Sequence, residues 1–319
     1  LLPYDREEVV TTTVITKLPF FKLEDQDDNN IEFEVLGKEE MDPGLIDRQI
    51  VHYGNYDPFY NYTIQFKDTI PAMGYKTYFI VNKENVMGKS LHEVNSIETD
   101  YYLVTVNKNG TLKIQDKQND IEYGQVLLLE NGGDDGDEYD YSPLLNEELI
   151  YSSNVVAQTK LYQNSFEGQI EIKVSLEVPS DLEARKRGKR NSTVDVTWKV
   201  TVSNYKPVIK IQAEIDNHAE DHRLRALIPT GIASQFSVAD NQFGIIKRNV
   251  VDPAMEVWEK ENWDERPDSI YPMLSFVGLS DEKHGVAVIT NSTREYEIVG
   301  NNYDTIAITL FRSVGVLGK

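Results

Sequence analysis

Ile170-Glu171-Ile172-Lys173-Val174-Ser175-Leu176-Glu177-Val178 decides the fold class. Every second residue is apolar. Successive side chains on a strand point to opposite faces, so the stretch predicts a strand with one buried and one wet face. Val194, Val196, Trp198, Val200 and Val202 repeat the spacing. The basic segment Arg185 to Arg190 between the two runs predicts the solvated tip of a long hairpin. Ile209, Ile211, Ala213 and Ile215 make a third strand. Further on, Gly285-Val286-Ala287-Val288-Ile289-Thr290 and Thr305-Ile306-Ala307-Ile308-Thr309-Leu310 are β-branched apolar runs that predict buried strands.

Upstream the same signal holds. Thr11 to Thr16 is β-branched at every position and disfavours helix. Tyr101 to Val106 and Thr111 to Ile114 flank Asn109-Gly110, a hairpin turn signal because both residues tolerate positive φ. Leu144 to Ile150 and Met255 to Asn262 have room for a helical turn or two, yet neither sustains a helical stripe. The expected fold class is all-β with few helices: a small β-sandwich over residues 1–85, then a large antiparallel β-sandwich over 86–319. Asn82 to Ser96 reads as the linker. No fixed-period repeat supports a propeller or solenoid.

The chain has 319 residues, with 53 Asp and Glu against 32 Lys and Arg, a net charge of −21. So acidic a surface repels phosphate backbones and speaks against a nucleic-acid partner. No apolar run approaches the roughly 18 residues of a membrane-spanning helix, so no membrane partner is expected. Cysteine is absent, which excludes disulfides and thiolate metal sites. Leu1-Leu2-Pro3-Tyr4-Asp5-Arg6 is no signal peptide, and the expected location is cytoplasmic. Both ends look cut, the C-terminal domain included, as in a piece of a longer polypeptide.

Asn131-Gly132-Gly133-Asp134-Asp135-Gly136-Asp137-Glu138-Tyr139-Asp140-Tyr141 packs five carboxylates into seven residues. Like charges so close need an offset. A solvated acidic loop, a sugar-contacting loop and a calcium loop are all open readings, though the EF-hand pattern is absent. His218 and His222 are four apart, but in extended chain that is about 13 Å, too far for one ion. Gly88-Lys89-Ser90 fails as a P-loop because position 83 is Lys83. The sequons at Asn61, Asn109, Asn191 and Asn291 suit turn chemistry without a secretory signal. No serine-hydrolase elbow is present. The 18 Tyr residues, rings with a polar tip, suit sugar faces.

A series of phrases, in order, resembles the C-terminal β region of glycoside hydrolase family 38, the α-mannosidases, and its bacterial mannosylglycerate hydrolase-like branch. They are Leu2 to Arg6; Ile70 to Tyr75; Gly110 to Leu112 through Asp116-Lys117; Gly136 to Pro143; Ile215 to Asn217 through Asp221 to Arg225; Pro229-Thr230-Gly231; and Leu310 to Gly315. The resemblance implies a large sandwich of the galactose-mutarotase-like kind. It also implies a retaining hydrolase of α-mannosides working through a covalent glycosyl-enzyme. In that family the nucleophile, the general acid and the zinc ligands sit on an N-terminal α/β domain. By the resemblance this chain therefore carries no catalytic residue and no metal ligand, and zinc belongs to the full-length enzyme. Its implied partners are that catalytic domain and a mannose-containing saccharide, with a homo-oligomer also expected. The carried-over substrate-binding residues are Tyr139, whose phenol would bond a mannose hydroxyl, Asp137 of the same phrase, and Arg248, after Asn241-Gln242-Phe243. The expected function is the non-catalytic β region of a zinc-dependent α-mannosidase, lining one wall of the sugar cleft. The alternatives are a free-standing carbohydrate-binding module without hydrolytic activity and an adhesive or structural β protein.

Overall fold

The computed structural model of the chain describes residues 4–46, 57–83, 89–264 and 266–315. The expected boundary between residues 85 and 86, Leu2-Pro3 of the first family phrase, Gly88, and residues 316–319 lie outside the described residues. Among the described residues strands dominate, and the helices are single turns such as Leu182–Lys186 and Trp258–Glu261. The chain divides into two compact units. The first holds residues 1–95, 161–169 and 202–208, and the second holds 96–160, 170–201 and 209–319.

In the first unit, Arg6–Thr16, Phe59–Ile70, Phe33–Met41 and Lys89–Ser90 form one sheet in that order. Asn30–Ile31, Phe21–Asp25 and Tyr78–Asn82 form another. Their alternating apolar residues meet in a core of Phe21, Leu23, Phe33, Val35, Tyr62, Ile64 and Phe66. Phe21 stacks on Phe33 with ring centroids 5.0 Å apart. The buried Tyr62 hydroxyl donates to Pro19 O at 2.8 Å.

In the second unit, Tyr102–Val106 and Leu112–Asp116 pair antiparallel across the Asn107–Gly110 turn. Gly110 sits at φ +84°, and a Cβ there would lie 2.9 Å from methyls of Ala157, Ile172 and Val174. Only glycine closes this hairpin against its neighbours. The deciding stretch forms the strand Glu167–Val178, next to Ser192–Ser203. Ile170, Ile172, Val174, Leu176 and Val178 are buried, as are Val194, Val196, Trp198 and Val200.

A six-stranded sheet runs in the order Ile150–Tyr151, Leu128–Gly133, His222–Pro229, Thr305–Ser313, Glu295–Val299, Ile270–Pro272. A four-stranded sheet runs Gly244–Asn249, Phe236–Asn241, Phe276–Ser280, Gly285–Ile289. Ala239, Val277, Leu279, Tyr296, Ile298, Ile306 and Ile308 form the core that they share.

Three local expectations change. Gly285–Ile289 is an edge strand, not a buried one: Val286 and Val288 reach the core while Ile289 is 80% exposed. An edge strand needs only one face in the core, and Gly285, Ala287 and Ile289 occupy the other. The basic tip begins with the helix Leu182–Lys186, whose Asp181 caps Ala184 N at 2.8 Å. Leu144 to Ile150 holds no helix; the short 3-10 turn falls at Ser152–Asn154.

Candidate functional site

The strand His222–Pro229 breaks the rule that buried strands are apolar: His222, Arg223 and Arg225 are all buried. Alternation turns Leu224, Ala226 and Ile228 to one face, where Ile228 packs on the core, and puts Arg223 and Arg225 on the other. Arg225 faces Glu130 across one pairing and Thr309 across the next. Its Nε donates to Glu130 at 2.6 Å, and its Nη1 pairs with Glu297. Burial alone would pull this guanidinium down, but the two carboxylates outweigh it and hold it charged. Arg223 sits over the Tyr141 ring, its Cζ 3.5 Å from the centroid. Its carboxylate neighbours Glu295 and Glu297 are at 3.7 and 3.9 Å, and burial followed by the adjacent Arg225 draws it down.

The acidic loop is built onto this face. Of its five carboxylates, Asp134 is the buried one. Arg312, from the strand Thr305–Ser313, donates Nε to Asp134 Oδ2 at 2.7 Å and Nη2 to Oδ1 at 3.2 Å. For Asp134, the buried member of the cluster, the offset is thus an internal guanidinium. Arg185 enters from the helix Leu182–Lys186, donating Nη1 to Glu147 at 2.5 Å and Nη2 to Asn131 Oδ1 at 2.5 Å. With Asn131 Oδ1 so engaged, its Nδ2 donates to His222 Nδ1 at 2.6 Å, and His222 Nε2–H donates to Asn217 Oδ1 at 2.9 Å. The imidazole is therefore neutral with its proton on Nε2. Burial first, and Arg185 second, push it down from 6.5 to about 4.

That shift predicts acid sensitivity. Between pH 6.5 and about 4 the unfolded chain carries more protons on this ring than the folded one, so stability rises with pH there. Acidifying through the window costs about 3 kcal/mol from His222. Urea unfolding at several pH values checks this. His222→Gln should flatten the slope relative to the parent, and an unchanged slope refutes the assignment.

Tyr139 and Asp137 share one turn of the acidic loop. Asp137 Oδ1 accepts from Tyr139 N at 2.9 Å and Asp140 N at 3.1 Å, and the Tyr139 side chain stands 79% exposed. Arg248 is carried by a different sheet, on Gly244–Asn249. It donates to Pro272 O at 2.9 Å and to the Tyr296 hydroxyl at 3.3 Å. Sequence reading missed the clamp residues Arg312, Arg185, Arg223 and Arg225. The signal available was arginine at every second position of an apolar strand. Among the described residues, no three of His, Asp and Glu converge as a metal ion requires. His218 turns to Asp216 at 3.3 Å and His222 to two asparagine amides, so the pair does not share a centre. The zinc that the resemblance implies does not fit these residues. No described helix is long and apolar enough to cross a membrane.

Residues 97–315 match the family model described as the glycosyl hydrolases family 38 C-terminal domain. A Halalkalibacterium halodurans protein provisionally named mannosylglycerate hydrolase is 29% identical over 270 residues, 77% of this chain and 29% of that protein. Two solved Enterococcus faecalis structures share the fold. One, a protein in the glycosyl hydrolase family 38, has a TM-score of 0.75 at 22% identity, covering 100% of this chain and 40% of that one. The other, an alpha-mannosidase, has a TM-score of 0.72 at 21% identity, covering 98% of this chain and 39% of that one. The chain thus spans well under half the length of each.

Proposed function

The chain belongs to glycosyl hydrolase family 38, as its C-terminal domain, and on that premise we propose that it is the non-catalytic β region of an α-mannosidase. In this reading the large unit is a galactose-mutarotase-like sandwich that supports an N-terminal catalytic domain and forms one wall of the sugar cleft. The full polypeptide hydrolyses α-mannosides with retention, and its zinc sits on the catalytic portion. The observation that carries the reading is the family match over residues 97–315, most of the second unit. The relative named for mannosylglycerate hydrolysis supports a mannoside as substrate.

The chain's own contribution would be binding and orientation. The exposed phenol of Tyr139 is free to swing its hydroxyl to a sugar oxygen, and the turn fixed by Asp137 presents it. Arg248, whose guanidinium carries donors beyond the Nη1 engaged by Pro272 O and the Tyr296 hydroxyl, would serve a second sugar hydroxyl.

The test is hydrolysis of p-nitrophenyl α-mannoside by the full-length polypeptide before and after metal removal. Activity lost to a chelator and restored by zinc is expected, with none from residues 1–319 alone. Tyr139→Phe should lower kcat/KM about 3- to 10-fold, the value of one neutral hydrogen bond. Intact mannosides, or turnover indifferent to metal removal, overturn the reading.

A further inference from the structure

We propose that Arg312 is the positioning residue for Tyr139, its guanidinium setting how tightly the full-length enzyme holds a mannoside. This rests on the reading of Tyr139 just given. The turn in question is Asp137-Glu138-Tyr139-Asp140, with Asp137 N donating to Asp140 O at 3.2 Å. Arg312 Nη2 donates to Asp137 O at 2.8 Å and to Asp140 O at 2.6 Å, so one nitrogen ties both feet of the turn. The same guanidinium holds Asp134, whose Oδ1 also accepts from Gly136 N at 3.1 Å and Ser142 N at 3.2 Å. Entry, turn and exit of the loop therefore hang on one side chain. Arg312 pairs in register with Arg223, which itself stacks on Tyr141, so the loop is keyed to the sheet behind it.

The fit is close. A Cβ at Gly136 would lie 1.9 Å from Asp140 O, inside any contact distance. Left to themselves, the loop's carboxylates would drive it open. A ligand meeting an open loop must order it, and that cost appears as lost affinity. A planar fork of five donors can serve a carboxylate and two carbonyls at once; a lysine ammonium on a flexible stem keeps the charge but not that span.

The experiment is steady-state kinetics of the full-length enzyme on p-nitrophenyl α-mannoside with Tyr139→Ala, Arg312→Lys, the double variant and Gly136→Ala. Arg312→Lys is expected to raise KM about tenfold with kcat within about twofold. In the Tyr139→Ala background it should add nothing further. Gly136→Ala moves the turn without removing a charge, its Cβ meeting Asp140 O at 1.9 Å and Asp134 Oδ1 at 2.9 Å, and should reproduce the KM rise, which keeps the test decisive if the Arg312 variant folds poorly. A KM unmoved by Arg312→Lys or by Gly136→Ala, beside a raised KM in Tyr139→Ala, overturns the positioning role alone. An additive double variant also overturns it. A KM unmoved by Tyr139→Ala sinks the reading of Tyr139 and the proposal with it.

Discussion

Arg225→Met is expected to lower the unfolding free energy of the second unit by about 3–5 kcal/mol, the usual result of stripping one partner from a buried ion pair. Arg225 and Glu130 each keep only 6% of their side-chain surface exposed. Glu297 shares the same guanidinium. Without it, Glu130 is left as a buried carboxylate opposite a methionine. Replacing both partners, Glu130→Met with Arg225→Met, removes the orphan charge and should recover most of the loss. Urea unfolding followed by tryptophan fluorescence measures all three variants. A single variant within about 1 kcal/mol of the parent, the range of weak and exposed ion pairs, would mean that the pair is solvated in practice.

Trp198→Ala should cost a similar amount, about 3–5 kcal/mol, for a different reason. Trp198 heads the fully buried side chains by size and is 2% exposed, at the centre of the strand Ser192–Ser203. Its removal opens a cavity between well-packed neighbours. Among the described residues the indole Nε1 has no hydrogen-bond partner, so the donor brings desolvation without return. Trp198→Phe therefore keeps most of the volume, sheds that donor, and should cost well under half as much as alanine. Equal losses for the two would show that the nitrogen, not the ring, is what the site needs.

These two sites differ in how well the sequence announces them. Trp198 stands in a run of alternating apolar residues, and period two with β-branched neighbours leaves little choice of structure. Arg225 stands in a run that also alternates, yet there charge replaces apolarity on one face. A reader of pattern alone sees an exposed face, because the compensating Glu130 and Glu297 come from strands far away in sequence. The acidic loop shows the same limit. Asp134, Asp135, Asp137, Glu138 and Asp140 look alike in text, and only the fold reveals that Asp134 is buried on Arg312. Arg185 is one cation among several in a basic run; a capped helical turn is what points it inward. Gly285–Ile289 shows a third limit, since composition does not separate an edge strand from a central one. The family phrases reached further than periodicity, since Asp221 to Arg225 and Leu310 to Gly315 contain the residues that anchor the loop.

The strand Gly285–Ile289 carries no lysine, glutamate or proline, and among the described residues it has a neighbour on one side only. Its outer backbone groups are a ready template for a stranger's strand, and no charge or proline within the strand turns one away. Heated solutions of the chain should therefore cloud irreversibly as partly opened molecules stack into sheet-rich aggregates, and a melting point would report the speed of clumping rather than stability.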